Sequence, residues 1–587
     1  MRAACISLLG SLACGLLLQA PGCARPPRRF PPGPPLWQDP DRNHVPVKPE
    51  RFYSGLYADA VDKVFFRPLA RAFRLPEARE AINVNALDEV PDSAWFENRI
   101  GRYPMDPAAV ARGACRAPPL DPERGPWRIR AAKTHGATPG LFIDAPDGHR
   151  YLLKFDTAHR PQRATAADVI GSKIYHAFGF HTPCNRIVEF RPAVLELAPD
   201  ATRTDALGRQ RPLTAAVVQR VLRAAYRYQD GRLRAVASRF LPGEPLGPYP
   251  LEGVRADDPN DVVAHQHRRE LRGSRLLAAW LHHFDVREQN SLDMWVEQDG
   301  RTFVRHYQID FGDSFGTPWD EDRLNRRVGH AYYFDIAEVL ADLLTLGALD
   351  RPWFDNRINP RAAIFGYFSG RDFWPTEWKP VYPVPAFQRM TVRDALWAVR
   401  IIVRFSDRIL AAVVRSGRLS NPRHEQVLLE ALIERRDRIA RAYLLDQVPL
   451  ARFQLVHREP RWPQSQSLCF TDLAIRHAGQ DPATVVYKVR FWAGAELQTR
   501  LGWLQFAPDP DHPDRSCLLL PLGDRRPAEL APPGAPAHHP LRYGVVEIRV
   551  HGRPAERPRI IRIHLIDHGR PAGFELVGLE RLPAPAR

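Results

Sequence analysis

The stretch His283-Phe284-Asp285-Val286-Arg287-Glu288-Gln289-Asn290, with Asp310-Phe311-Gly312 further on, gathers the side chains of this chain whose types could do chemistry. Two carboxylates and an amide are hard oxygen donors of the kind a small divalent cation prefers, and a carboxylate beside a hydroxyl can take its proton. Upstream, Lys154 offers a cation to an anionic substrate, and Asp168 offers a carboxylate to hold that lysine in place.

Elements that could position these groups are legible around them. Alternating patterns predict strands over Trp127 to Lys133, Leu141 to Asp144 and Tyr151 to Phe155, the last carrying Lys154. The turn between the first two holds Gly136 and Gly140. A helix is expected from about Ala164 to Phe178, with Val169, Ile170, Ile174 and Phe178 on one face and Asp168 off it. Strands over Arg186 to Phe190 and Leu233 to Phe240, with a helix near Leu213 to Ala225, complete this region before Leu241-Pro242-Gly243-Glu244, which reads as a hinge. A second helix, His265 to Phe284, has Leu277, Trp280, Leu281 and Phe284 at helical spacing and delivers His283 and Asp285 at its end. A hairpin with the turn Gln298-Asp299-Gly300 then returns the chain from Asn290 to Asp310. Helical patterns, including Ala395 to Val414 and His424 to Leu444, run to about Gln447. From Pro449 onward, alternating runs between Pro/Gly turns predict an all-β region, expected to be a sandwich.

In this order and spacing the motifs resemble the protein-kinase-like superfamily, over about Trp127 to Gln447. The resemblance implies an α+β, bilobal fold with a β-rich N-lobe and a helical C-lobe, and a phosphotransferase that uses ATP and Mg²⁺. It assigns Asp285 to orienting or deprotonating the acceptor hydroxyl, Asn290 and Asp310 to the metal, and Arg287 to neutralising the transferred phosphoryl group. Lys154 would anchor the α- and β-phosphates, braced by Asp168, with Gly136 and Gly140 in the turn over the nucleotide. The nucleotide half departs from the protein-kinase pattern in its two glycines rather than three and in Asp168 where Glu is usual. Phe284, standing where regulated kinases carry arginine, and the lack of an Ala-Pro-Glu after Gly312 point to the atypical branch, such as HipA-type and lipid-kinase-type enzymes. Asp313 could add a carboxylate to the metal site or face solvent as an ordinary turn acid.

The net charge of +16 invites a nucleic-acid partner, but only seven of the 83 basic residues are lysine and arginine is spread along the whole chain. Coding bias accounts for that pattern, and no nucleic acid is expected. In such a chain each lysine kept is worth a question, and Lys133, Lys154 and Lys173 lie close together.

Met1 to Cys23 has an early arginine, an apolar run and a small-residue ending, the layout of a secretory signal. Its end resembles a bacterial lipoprotein processing site, which would make Cys23 the lipidated residue and a membrane anchor. The expected organisation is therefore a signal over 1–23, a Pro/Arg-rich tether over 24–50, an extension over 51–126, the two kinase-like lobes over 127–243 and 244–447, and the β region over 448–587. Among the remaining cysteines, Cys469 and Cys517 could bridge. The reading is an exported, membrane-tethered phosphotransferase acting on an acceptor the sequence does not name. The alternatives are a silent kinase-like scaffold of the cell envelope and nucleotidyl transfer by the same fold.

Overall fold

A computed structural model describes residues 27–582 except 32, 55–60, 63–65, 68, 70–78, 134–138, 205–208, 317–321, 458–465, 501, 521–525 and 553–559. Met1 to Cys23 and Gly136 lie outside the described residues.

Seven strands form the first sheet: β1 (Trp127–Lys133), β2 (Gly140–Asp144), β3 (Arg150–Phe155), β4 (Asn185–Phe190), β5 (Leu195–Thr204), β6 (Gln210–Pro212) and β7 (Leu233–Arg239), in the order β4-β7-β3-β2-β1-β5-β6. Sequence patterning misses β5 and β6. β5 contains Pro199, which a regular strand interior does not tolerate, and the parallel register of β5 on β1 jumps from Leu197 to Thr202 around it.

The helix that carries Asp168, α2 (Arg163–Phe178), follows the short α1 (Pro107–Arg112). Every residue of α2 except His176 is buried. Val169 clusters with Ile187 and Val236 of the sheet. Ile170, Ile174 and Phe178 instead join the large core of the helical region. The single apolar face expected from its sequence is thus an all-round buried helix wedged between two bodies.

The helical region is built on α4 (Arg269–Leu281), which follows α3 (Ala215–Ala224), and on α5 (Val392–Ile402), α6 (Asp407–Arg415) and α7 (Pro422–Leu444). The expected helix His265 to Phe284 is shorter at both ends. His265–His267 is a separate 3-10 turn, and His282 takes a left-handed conformation (φ 53°) that caps α4 and releases His283 and Asp285 into a loop. The stretch expected as one helix over Ala395 to Val414 breaks at Val403, and Ser406 starts α6 by accepting from the Ile409 N–H. Beyond α4, a three-stranded sheet joins β8 (Glu244–Gly247), β9 (Ser291–Gln298) and β10 (Arg301–Gln308), and the β9/β10 hairpin pairs from Ser291↔Gln308 to Gln298↔Arg301.

The C-terminal part is antiparallel. β11 (Leu450–His457), β12 (Gln466–Asp472) and β16 (Arg515–Leu520) make one sheet. β13 (Val486–Ala493), β14 (Thr499–Arg500), β15 (Leu504–Phe506), β17 (Tyr543–His551), β18 (Ile560–Asp567) and β19 (Phe574–Leu582) make another. One apolar core joins Leu468, Phe470 and Leu518 of the first to Val489, Ile548 and Ile563 of the second. Cys469 and Cys517 are direct cross-strand partners and form a disulfide. A second disulfide, Cys115–Cys184, was not foreseen and ties the extension to the residue before β4.

Within the extension, the run Asn83 to Ser93 centres on Asp88. Its buried carboxylate meets Arg269 of α4 at 2.6 Å, Arg393 of α5 at 2.8 Å and Arg581 of β19 at 3.2 Å. One side chain thereby fastens the extension to the helices and to the last strand.

Candidate functional site

Between the first sheet and the helical region, the chain brings together the groups its sequence singled out. Lys154 Nζ on β3 lies 2.9 Å from Asp168 Oδ2 on α2 and 2.9 Å from Asp310 Oδ1. Burial lowers the lysine's pKa, but the two carboxylates outweigh it and hold the ammonium charged, with its pKa raised. Asp168 is itself fixed. Its Oδ1 accepts from the Asn185 side chain at 3.0 Å and from the Phe311 N–H at 3.1 Å. The helix acid is an Asp, shorter than the Glu of the motif it resembles, and it still reaches the lysine.

The loop released by the His282 cap carries the rest. Asn290 Nδ2 donates to the Asp285 carbonyl at 2.6 Å and to Asp285 Oδ2 at 3.2 Å. Arg287 Nη2 lies 3.1 Å from the same Oδ2, so this guanidinium is committed to Asp285. Burial raises the Asp285 pKa, against the pull of Arg287 and Asn290. Asp313 is no solvent-facing turn acid. Burial and repulsion from Asp285 and Asp310 push its carboxyl up to about 7, and it hydrogen-bonds to Asp285. Asp310, by contrast, is held well below the usual carboxylate range, because Lys154 and Lys133 outweigh its burial.

Segment 309–316 is fastened on both sides. Toward the loop, the Ile309 N–H donates to the Asn290 carbonyl at 3.1 Å and the Phe315 N–H to the Leu281 carbonyl at 3.0 Å. Toward α2, Arg163 Nη1 donates to the carbonyls of Gly312, Ser314 and Gly316 at 3.2, 3.3 and 2.9 Å. Phe311 is fully buried against Tyr175, with ring centroids 4.8 Å apart, and a Cβ on Gly171 would come within 2.7 Å of its own Cβ. His283 stays neutral, its pKa lowered by burial to about 4, and its Nδ1 lies 3.0 Å from the Tyr175 hydroxyl. Asp310 itself adopts φ 60°, rare for a residue with a side chain.

Gly140 is not in a turn. It is the first residue of β2, paired with Lys133 on one side and Lys154 on the other. Gly136 lies outside the described residues, as does Cys23. Sequence reasoning singled out neither Asn185 nor Arg163, which carry no local signal. Gly171 had one, because glycine inside a helix is costly unless something needs the space.

Among the described residues no group of three or more His, Cys, Asp or Glu side chains is arranged to hold a metal ion. The hard donors present are the Asp310 carboxylate and the Asn290 amide oxygen, a set that suits Mg²⁺ when a substrate's phosphates complete the coordination.

No family model matches the chain, and no curated protein matches it. Among solved structures, the Golgi casein kinase with Mn/ADP bound aligns over 49% of this chain and 75% of that one, with 11% identity and a TM-score of 0.20. Another structure of the Golgi casein kinase aligns over 64% and 96%, with 12% identity and a TM-score of 0.21. Superpositions at this level carry no argument about fold or activity.

Proposed function

We propose that this chain is an atypical protein-kinase-like phosphotransferase that uses ATP with Mg²⁺ to modify a hydroxyl acceptor. The observation that carries the reading is the bridge of Lys154 between Asp168 and Asp310, set beside the loop of Asp285 and Asn290. Two stretches well separated in sequence, Lys154 to Asp168 and Asp285 to Asp310, meet there in the order such chemistry needs, although each group is costly to bury unpaired. The sheet with α2 serves as the nucleotide half, the helical region as the acceptor half, and the C-terminal sheets as an attached β-sandwich.

In this reading Lys154 leaves its share of Asp310 to meet the α- and β-phosphates, with Asp168 keeping it in position. Asp310 and Asn290 would hold the cation, which when bound neutralises charge on the phosphoryl oxygens. Asp285, its pKa raised by burial, is a stronger base than an ordinary carboxylate. The acceptor oxygen bonds to the γ-phosphorus, the bond from phosphorus to the bridging oxygen of ADP breaks, and the hydroxyl proton passes to Asp285. Arg287 orients that carboxylate through its ion pair and so reaches the phosphoryl group only if the pair opens.

The test is thermal stability with and without ATP and Mg²⁺, for the wild type and Asp310→Ala. The wild type should gain several degrees only when both are present, and Asp310→Ala should gain nothing. No gain in the wild type sinks the reading. Mass analysis of the products then separates phosphoryl from nucleotidyl transfer. Export and a Cys23 lipid anchor belong to the same proposal, supported by two disulfides, which persist in oxidising compartments. Cys23→Ser should move the protein from the membrane fraction to the soluble one, and unchanged fractionation would reject the anchor.

A further inference from the structure

Lys133 has no role in the reading above, yet it stands in register with the residues that do. Lys133 on β1 pairs with Gly140 on β2, and Gly140 pairs with Lys154 on β3. Directly opposed residues of antiparallel strands point to the same face, so the two lysines project from one face of the sheet, about 10 Å apart at the backbone. Their ammonium groups nevertheless converge on one carboxylate. Lys154 Nζ lies 2.9 Å from Asp310 Oδ1, and Lys133 Nζ lies 4.0 Å from Asp310 Oδ2. Gly140 adds no side chain of its own between them, and a Cβ there would come within 2.8 Å of the Leu153 carbonyl, 3.3 Å of Lys133 Cβ and 3.4 Å of Leu152 Cδ1.

We infer that Lys133, Gly140 and Lys154 form a polyphosphate subsite, with Lys133 as a second phosphate-binding cation. The inference rests on the nucleotide-binding reading for the identity of the ligand, but the subsite itself is defined by its two lysines. Two observations carry it. In a chain with seven lysines among 83 basic residues, two stand in one cross-strand row and face one acid. Both are largely withdrawn from solvent, with side chains 17% and 12% exposed, where a cation needs negative charge close by. If Asp310 turns to a divalent cation, Lys154 keeps Asp168 while both lysines give up a shared acid, and the phosphates of a polyanion supply negative charge in its place.

The experiment is calorimetric titration of wild type, Lys133→Met and Lys133→Arg with ATP, adenosine and inorganic tripolyphosphate, each with Mg²⁺. The expected result is that Lys133→Met weakens ATP and tripolyphosphate at least tenfold and leaves adenosine unchanged, while Lys133→Arg keeps most of the phosphate affinity. The ligand-free melting temperature of each variant reports folding separately, and the arginine variant keeps the test open should the methionine variant misfold. Tripolyphosphate affinity that is the same in wild type and Lys133→Met, or lacking in the wild type, overturns the inference. Lys133-dependent binding of tripolyphosphate with no binding of ATP would instead overturn the nucleotide reading and leave the subsite standing.

Discussion

Two charge clusters hold this molecule together, one buried and one partly open to solvent, and they are balanced in opposite ways. Around Asp88, one carboxylate faces three arginine side chains, and its pKa is driven far down despite full burial. Around Asp310, three carboxylates, Asp285, Asp310 and Asp313, crowd together, and two of them are pushed up by burial or by one another. The first cluster is complete as it stands, with the acid committed to its cations. The second carries like charges close enough to repel, an arrangement that costs stability and is relieved by adding a cation. A structural hub and a reactive site can thus be told apart by the sign of their internal conflict.

The largest effect should come from breaking the hub. Asp88→Ala leaves buried Arg581 without its ion-pair acid and Arg269 with Asp394 alone, and should cost about 3–5 kcal/mol, read as a lower denaturant midpoint. A loss under about 1 kcal/mol would mean that the arginines simply rearrange. Asp310→Ala should behave differently in the ligand-free protein. It removes one partner of Lys154 but also relieves Asp285 and Asp313, so its stability change should stay within about 1 kcal/mol while the response to ATP and Mg²⁺ disappears. If Asp310→Ala destabilises as much as Asp88→Ala, the distinction between the two clusters fails.

The smallest effect is a slope with pH. The Asp313 carboxyl titrates near 7 in the folded chain against an ordinary 3.8, so the folded state holds the extra proton between those values. That contribution to stability is present in acid and is lost as pH rises through about 7. Asp313→Asn should therefore gain stability relative to wild type as pH is raised from 5 to 8, measured by paired thermal scans. A difference that does not change with pH would place Asp313 in a more solvated setting.

The contrast also explains what could be read in advance. Asp285, Asn290 and Asp310 lie near one another along the chain, on a loop and a hairpin end whose turn residues are visible, and Lys154 sits on a strand with plain alternation. Their meeting with Asp168 follows from the order of elements. Asp88 was illegible because its partners lie 181 residues away at Arg269 and 493 away at Arg581, and nothing local in Asn85-Ala86-Leu87-Asp88 marks them. Arginine is also so common here that no single one stands out. Lys133 is the opposite case. Its rarity flagged it, but only the strand register showed what it faces.

The doubly fastened segment 309–316 has a mechanical consequence. It is bonded to the loop side through Ile309 and Phe315 and to α2 through Arg163 and Asp168, so it acts as a rivet shared by two plates. A rivet removes sliding and leaves only bending. Whatever opening the cleft undergoes must therefore pivot about this segment, and the spacing between the brace of Lys154 and the loop of Asp285 stays set while the outer edges swing.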